Sequence, residues 1–150
     1  MEAITTEQES LSIRRRLKAS REKVFAAWTD PELLVKWWAV SAEFTPSVAE
    51  VDLRPQGKYR LGMLAPDGNN LIVIGVFKEV DVPSKLIYTW RWEHDPSEVP
   101  DTLVTVEFIA HGNETEIHLT HEKFLDKETS EQHGEGWIGC INQLEVLLAN

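Results

Sequence analysis

Leu86-Ile87-Tyr88-Thr89-Trp90-Arg91-Trp92-Glu93 alternates without a break, with Leu86, Tyr88, Trp90 and Trp92 on one face and mostly polar groups on the other. A period of two sustained over this length marks a strand with one buried face. Large rings gathered on that face make a broad apolar wall. Outward from this stretch, the chain reads as strand after strand from about Val48 to His121. Only then does it commit to a long helix, opening near Gly136-Trp137 and running to the end. A long helix facing an antiparallel sheet grips the space between them, so the pattern predicts an α+β domain able to enclose a cavity.

Turn chemistry falls where the strands need it. Val48 to Leu53 stops at Arg54-Pro55-Gln56-Gly57, whose Pro and Gly suit the first and last corners of a turn, and Lys58 to Leu64 returns as the partner strand. Pro66-Asp67-Gly68-Asn69 is a second turn. Leu71 to Val80 is apolar on both faces in its first half, as in a central strand. Pro83-Ser84 leads into the aromatic strand. Asp95 to Pro100, with two prolines and two acids, is an exposed loop before the strand Thr102 to Ala110. His111-Gly112-Asn113 then closes a hairpin onto Thr115 to His121, which leaves His121 on the apolar face beside Ile117 and Leu119. The final helix starts somewhere between Glu128 and Trp137. Its buried stripe is Trp137, Ile141, Leu144 and Leu148, widened by Cys140 and Leu147, and glycines at 134, 136 and 139 weaken its first turns.

Ahead of these strands lies Leu11 to Leu17, with Leu11, Ile13, Arg15 and Leu17 on one face, which makes Arg15 the odd residue on an apolar stripe. Ser20 is placed as an N-cap, and Val24, Phe25 and Trp28 mark the buried side of a short helix. Asp30-Pro31 starts another, read as running to Trp37 or Trp38, because Asp caps well and Pro is preset for the first helical position.

At 150 residues the chain reads as one domain, 11–150, behind a frayed tail, 1–10, that holds three glutamates and no apolar run. No signal peptide, membrane anchor, repeat or linker is seen. The formal charge of −10 argues against nucleic acid or an anionic membrane as partner. The lone cysteine, Cys140, reads as a buried apolar thiol, and its usage fits a reducing cytoplasm. No cofactor is implied. There is no glycine-rich phosphate loop, and no nucleophile has a His and an acid at a recognisable spacing. His118 and His121 face opposite ways on their strand, so metal binding is not supported either.

The order strand, two short helices, six strands and long helix resembles the helix-grip (Bet v 1-like) fold of the START-like or SRPBCC superfamily. Within it, the chain is similar to the branch described as activator of heat-shock-protein-90 ATPase homologue 1-like. The stretches that carry this are Ser20 to Trp38, Asp52-Leu53-Arg54-Pro55-Gln56-Gly57-Lys58-Tyr59, Gly75-Val76-Phe77, Leu86 to Trp92, and Leu119-Thr120-His121-Glu122 followed by Gly136-Trp137. Gln56 stands where the branch more often has a second glycine. The resemblance implies a curved antiparallel sheet of six to seven strands with a long C-terminal helix over a hydrophobic cavity. It implies function only weakly, because one scaffold serves many roles.

The residues expected to converge on that cavity are Arg15, Tyr59, Leu61, Met63, Trp90, Val106, Phe108 and His121 from the sheet, and Trp137, Ile141 and Leu144 from the helix. An apolar ligand there would gain roughly 25 cal/mol for each Å² hidden. Alternatively the rings fill the space themselves as a solid core. Arg15 and His121 are the polar candidates for contacting a ligand, with His121 a candidate acid or base. The opposing reading leaves the Arg15 head in water and has His121 donate to a backbone carbonyl. Three functions stay open. The first is binding of a small lipophilic or aromatic ligand. The second is a co-chaperone-like interaction, although 150 residues leave no room for the separate N-terminal domain of the eukaryotic activator. The third is a polyketide cyclase or dehydratase kind of enzyme, which requires Arg15, His121 or a tyrosine to meet at one spot. The expected partner is a small hydrophobic molecule, with a chaperone or a second copy of the chain also open. The Pro96 to Pro100 loop and the start of the last helix are placed to act as a gate.

Overall fold

The computed structural model describes the backbone of residues 3–7 and residues 10–149 in full. Its strands are Ala3–Glu7 (β1), Ser10–Leu17 (β2), Thr45–Val51 (β3), Lys58–Leu64 (β4), Asn70–Asp81 (β5), Lys85–Trp92 (β6), Thr102–His111 (β7) and Glu114–Glu122 (β8). All neighbours are antiparallel, in the order β1-β2-β8-β7-β6-β5-β4-β3. The eighth strand exceeds the six to seven expected. It is made by Ala3–Glu7, which the sequence placed in a frayed tail and which instead pairs with β2, Ile4 opposite Ile13. Without it β2 would present an open row of N–H and C=O groups, and Ile-Thr-Thr is apt material to cover them. Residues 1, 2, 8 and 9 of the expected tail lie outside the described residues.

The helices Arg21–Thr29 (α1), Pro31–Leu34 (α2) and Lys127–Leu148 (α3) each begin at a side-chain cap. Ser20 accepts from Lys23 N (3.3 Å), Asp30 from Glu32 N (3.0 Å) and Asp126 from Thr129 N (2.7 Å). The α2 helix is one turn rather than the two expected; bonds from Trp37 N and Trp38 N to Leu34 O continue it as turns. The α3 helix starts well before Gly136, because Asp126 supplies a cap that the glycines had obscured. Those glycines lie within the helix, and Gly139 has a reason to be there. A Cβ at Gly139 would stand 1.9 Å from Val40 O, so only a bare backbone lets the segment after α2 lie against α3.

The β3 strand starts ahead of the expected Val48, at Thr45, and carries Pro46 beside a register shift. An edge strand tolerates that missing donor. In β5 a second register shift, between Phe77 and Glu79, bends the long strand and helps curl the sheet around α3. The sheet's inner face and the C-terminal half of α3 make a dry core: Leu11, Ile13, Val104, Val106, Phe108, Ile117, Leu119, Ile141 and Leu144 are all but inaccessible. Each such side chain contributes roughly 1.5–3 kcal/mol through burial. No helix among the described residues is long and apolar enough to cross a membrane.

Candidate functional site

Beneath the N-terminal half of α3 the packing does not close. A cavity of about 310 Å³ is bounded by Trp38, Val40 and Phe44 after α2, Met63 of β4, Leu71 of β5, Trp90 and Trp92 of β6, and Gln132, His133, Gly136, Trp137 and Cys140 of α3. Alternation on β6 aims Trp90 and Trp92 at the helix, and the i, i+3, i+4 spacing of His133, Gly136 and Trp137 puts them on one helical face. Gly136 leaves room in this wall, since a Cβ there would meet only Val40 Cγ1, at 3.7 Å.

The six tryptophans form one connected cluster. Trp137 stacks on Trp28 at 5.9 Å and meets Trp38 (5.7 Å) and Trp90 (5.1 Å) edge-on or tilted; Trp37 bridges Trp28 and Trp38, and Trp92 packs on Trp90. Such pairs hold ring orientations beyond what burial alone provides. Hydrogen bonds fix four of the indoles. Trp28 donates to Tyr88 Oη (3.3 Å), Trp37 to Ala27 O (2.8 Å), Trp92 to His133 Nε2 (3.1 Å) and Trp137 to His121 Nδ1 (3.0 Å). Trp38 and Trp90 have no such bond among the described residues, and of these two the Trp90 Nε1 is the one fully buried.

Because an indole N–H can only donate, these bonds set the histidine tautomers. Nδ1 of His121 must accept from Trp137, so its proton sits on Nε2 and is given to Thr102 Oγ1 (2.7 Å), whose own hydrogen goes to Trp90 O (3.0 Å). In His133 the roles reverse: Nε2 accepts from Trp92, and Nδ1–H donates to Thr129 O (2.9 Å). Burial holds both rings below the usual histidine range, His121 well below, and their mutual proximity (5.4 Å) adds to it for His121. Burial likewise pushes the Cys140 thiol up to about 12. The cavity wall is therefore neutral, with the protonated Cys140 thiol and the uncharged His133 imidazole.

Of the residues expected at the cavity, Met63, Trp90 and Trp137 line it. Tyr59 and Leu61 border a separate void of only about 20 Å³ beneath α2, too small for an organic ligand, and Tyr59 also borders the depression across β3 to β6 described below. Val106, Phe108, Ile141 and Leu144 belong to the dry core; Phe108 packs on Phe25 (5.2 Å) and Trp28 (5.8 Å). The Arg15 guanidinium is buried, not in water, and reaches across to Asn142 Oδ1 (2.9 Å) and Glu145 Oε1 (3.2 Å), fastening the end of α3 to β2. His121 is fully buried behind Trp90 and Trp137, and it gives its proton to a hydroxyl rather than to a backbone carbonyl. Cavity residues absent from the expected set include Trp38, His133 and also Trp92, whose face on β6 the alternation had marked. The Trp37-Trp38 pair could have flagged the first; the second follows only from where α3 starts.

Two further depressions among the described residues bear on the site. One of about 340 Å³ lies behind the first, sharing Trp90, Trp92, Gln132 and His133, and extends to Asp95, Val99, Lys123 and Asp126. The Trp92–His133 bond is part of the wall between them. The Pro96 to Pro100 loop flanks this second space, and Arg91 ties it down through Pro96 O (2.8 Å), Val99 O (2.9 Å) and Asp101 (3.1 Å), which does not suit a loosely swinging gate. The other, about 540 Å³, crosses β3 to β6 among Glu50, Asp52, Lys58, Arg60, Arg91 and Asp101. Its arginines are already neutralised, Arg60 by Glu93 (2.7 Å) and Arg91 by Asp101.

Comparison with known proteins agrees with this architecture. Residues 18–149 match the family model described as activator of Hsp90 ATPase homolog 1-like protein. Among solved structures, protein NE0264 from Nitrosomonas europaea is 30% identical with a TM-score of 0.78, covering 94% of each chain. Protein CV1439 from Chromobacterium violaceum is 26% identical (TM-score 0.83; 95% of this chain, 98% of that one). Protein Ms6760 from Mycobacterium smegmatis, 22% identical over 97% of this chain and 95% of its own, shares the fold at a TM-score of 0.83. No curated protein matches significantly.

Proposed function

Because the chain belongs to the activator of Hsp90 ATPase homolog 1-like family and encloses an aromatic cavity, we propose that it binds a small lipophilic or aromatic molecule between the sheet and the N-terminal half of α3. The observation that carries this is the 310 Å³ cavity itself, walled by four tryptophans and a methionine and free of charged side chains. Ligand sites are concave, mostly apolar and of this order of size. The rings around it cannot relax inward to fill it, since hydrogen bonds and edge-to-face contacts hold Trp92 and Trp137 in place.

The convergence required of a cyclase-like enzyme is not found among the named residues. Arg15 lies toward the far end of α3 from His121, and Tyr59 Oη donates to Thr89 O. For a chaperone-binding surface, the large exposed hydrophobics Val35, Leu53, Leu64, Val82, Ile109, Leu125 and Val146 each come from a different turn, loop or element rather than one stripe.

The test uses Gly136→Leu, which fills the cavity from a helical position and improves helix propensity. Native mass spectrometry, with denaturing extraction of co-purified molecules and a challenge by fatty acids, sterols and polyketides, should show a discrete adduct on the wild-type chain that Gly136→Leu loses while its melting temperature holds or rises. An adduct that survives the filled cavity, or a wild-type chain that takes up nothing, would sink the proposal.

A further inference from the structure

The outer face of the sheet, opposite the cavity, brings together three residues far apart in sequence. Ser12 of β2, His118 of β8 and Glu107 of β7 alternate with the buried residues of their strands, so all three face outward. In the ladder, His118 has Arg14 directly across from it on one side and Glu107 on the other, and Ser12 lies two residues from Arg14 on the same face. Ser12 Oγ is 3.1 Å from His118 Nε2, and Glu107 Oε1 is 3.7 Å from His118 Nδ1. A carboxylate only accepts, so its proximity favours the tautomer with the proton on Nδ1. Nε2 is then the acceptor, and the Ser12 hydroxyl donates to it. A hydroxyl held on an imidazole that a carboxylate orients is the arrangement that activates a nucleophile. Solvent reaches it, the His118 side chain being 25% exposed and that of Glu107 48%.

We propose that Ser12 is a nucleophile for acyl transfer, with His118 as its base, and that the chain hydrolyses esters of phenols at this place. The Ser12 oxygen attacks the ester carbonyl, and its proton passes to His118 Nε2. The bond to the phenol oxygen breaks, the phenol leaves with that proton, and acyl-Ser12 remains. Water that gives a proton to the same nitrogen then cleaves the acyl bond, releasing the carboxylic acid and restoring the hydroxyl. Glu107 is a positioning residue that holds the ring and offsets the charge it gains. The substrate class follows from the surroundings. Both β2 and β8 are paired on each side, so their backbone N–H groups point into the sheet and form no oxyanion hole. Arg14, exposed on the same face, is the cation directly across from His118 to meet the developing negative charge. None of the cavities described above is lined by Ser12, His118 or Glu107. A site of this build does not expel a poor leaving group, which restricts it to esters whose leaving group is a stabilised anion.

The probe is 4-nitrophenyl acetate. Acid-quenched wild-type protein, digested and mapped by mass spectrometry, should carry an acetyl group on Ser12, with nitrophenolate released in step and the adduct decaying on standing at neutral pH. Ser12→Ala should remove the adduct, and His118→Gln should slow its formation about a hundredfold, the weight of a general base. Glu107→Gln should slow it less and shift the pH of half-maximal acylation downward, because the imidazolium loses its carboxylate. The other charged groups around His118 are unchanged in that variant: Arg14 across from it, Glu116 on its own strand and Lys85 beyond Glu107. A pH profile that does not move removes the role given to Glu107. All three side chains lie on the surface, so the variants should melt as the wild type does; if one does not, the wild-type adduct map decides alone. Acetylation of lysines only, or a Ser12 adduct that forms as fast in His118→Gln, overturns the proposal, and an adduct that never decays overturns hydrolysis. The cavity reading stands or falls separately.

Discussion

Acid should unfold this protein through two buried histidines before its carboxylates begin to matter. Burial disfavours the charged form of His121 and His133, and in each a tryptophan N–H points at the nitrogen that would take the second proton. Protonation would set donor against donor inside a ring cluster. Both folded-state pKa values lie below the unfolded value of about 6.5, so the unfolded chain binds more protons below that pH, and stability falls as pH drops. The contribution is intact above about pH 6.5 and is lost progressively toward the lowered folded values. Each group that stays neutral costs up to about 1.4 kcal/mol per pH unit, or about 2 kcal/mol by pH 5. His121, shifted further, should show the full amount and His133 a part of it. Glu93 and Asp126, whose folded pKa values are also lowered, lose their contribution only as pH falls through the ordinary carboxylate range and below it, outside this window. Urea unfolding at steps between about pH 7.5 and pH 5 measures the slope. His121→Gln should be less stable than wild type at the upper end, because the Trp137 and Thr102 bonds are disturbed, yet visibly flatter in pH. Wild-type stability that is flat across the window, or a variant that keeps the full slope, would refute the tautomer assignment and the argument built on it.

Gly139→Ala and Gly136→Ala should have opposite signs in thermal unfolding. The first drives a methyl onto Val40 O at 1.9 Å, a backbone atom, and should lose about 2 kcal/mol; the second meets Val40 Cγ1 at 3.7 Å and should gain about 0.5–1 kcal/mol of helix propensity. Gln56 sits at φ 69°, in the left-handed region that glycine occupies freely, so Gln56→Gly should raise stability by about 0.5 kcal/mol in denaturant titration. The Cys140 thiol, buried and pushed up to about 12, should react with an aromatic disulfide reagent at pH 8 only as fast as the native state opens.

Much of the fold was legible because its signals are local. Alternation in Leu86 to Trp92 marks a strand wherever that strand sits, Ser20 and Asp30 cap helices through bonds to residues two or three positions on, and Lys58–Leu64 is bounded by its own turn residues. The same locality explains the errors. Glycines at 134, 136 and 139 read as a weak helix start because propensity counts them against the helix, whereas the contact that justifies Gly139 comes from Val40, far away in sequence. The tail became a strand because β2 offered an edge to pair with, which the tail's own composition does not reveal.

The candidate site belongs to the second kind. Sequence placed Met63, Trp90 and Trp137 on inward faces, since a side chain's face follows from backbone period alone. It could not separate them from Phe108, Ile141 or Leu144, which share those faces but lie where the packing closes. A cavity is the volume that side chains from distant elements together fail to fill, so its position is a property of their sum. For the same reason only the tertiary structure decided that His121 is a neutral acceptor for Trp137 and that Arg15 fastens α3.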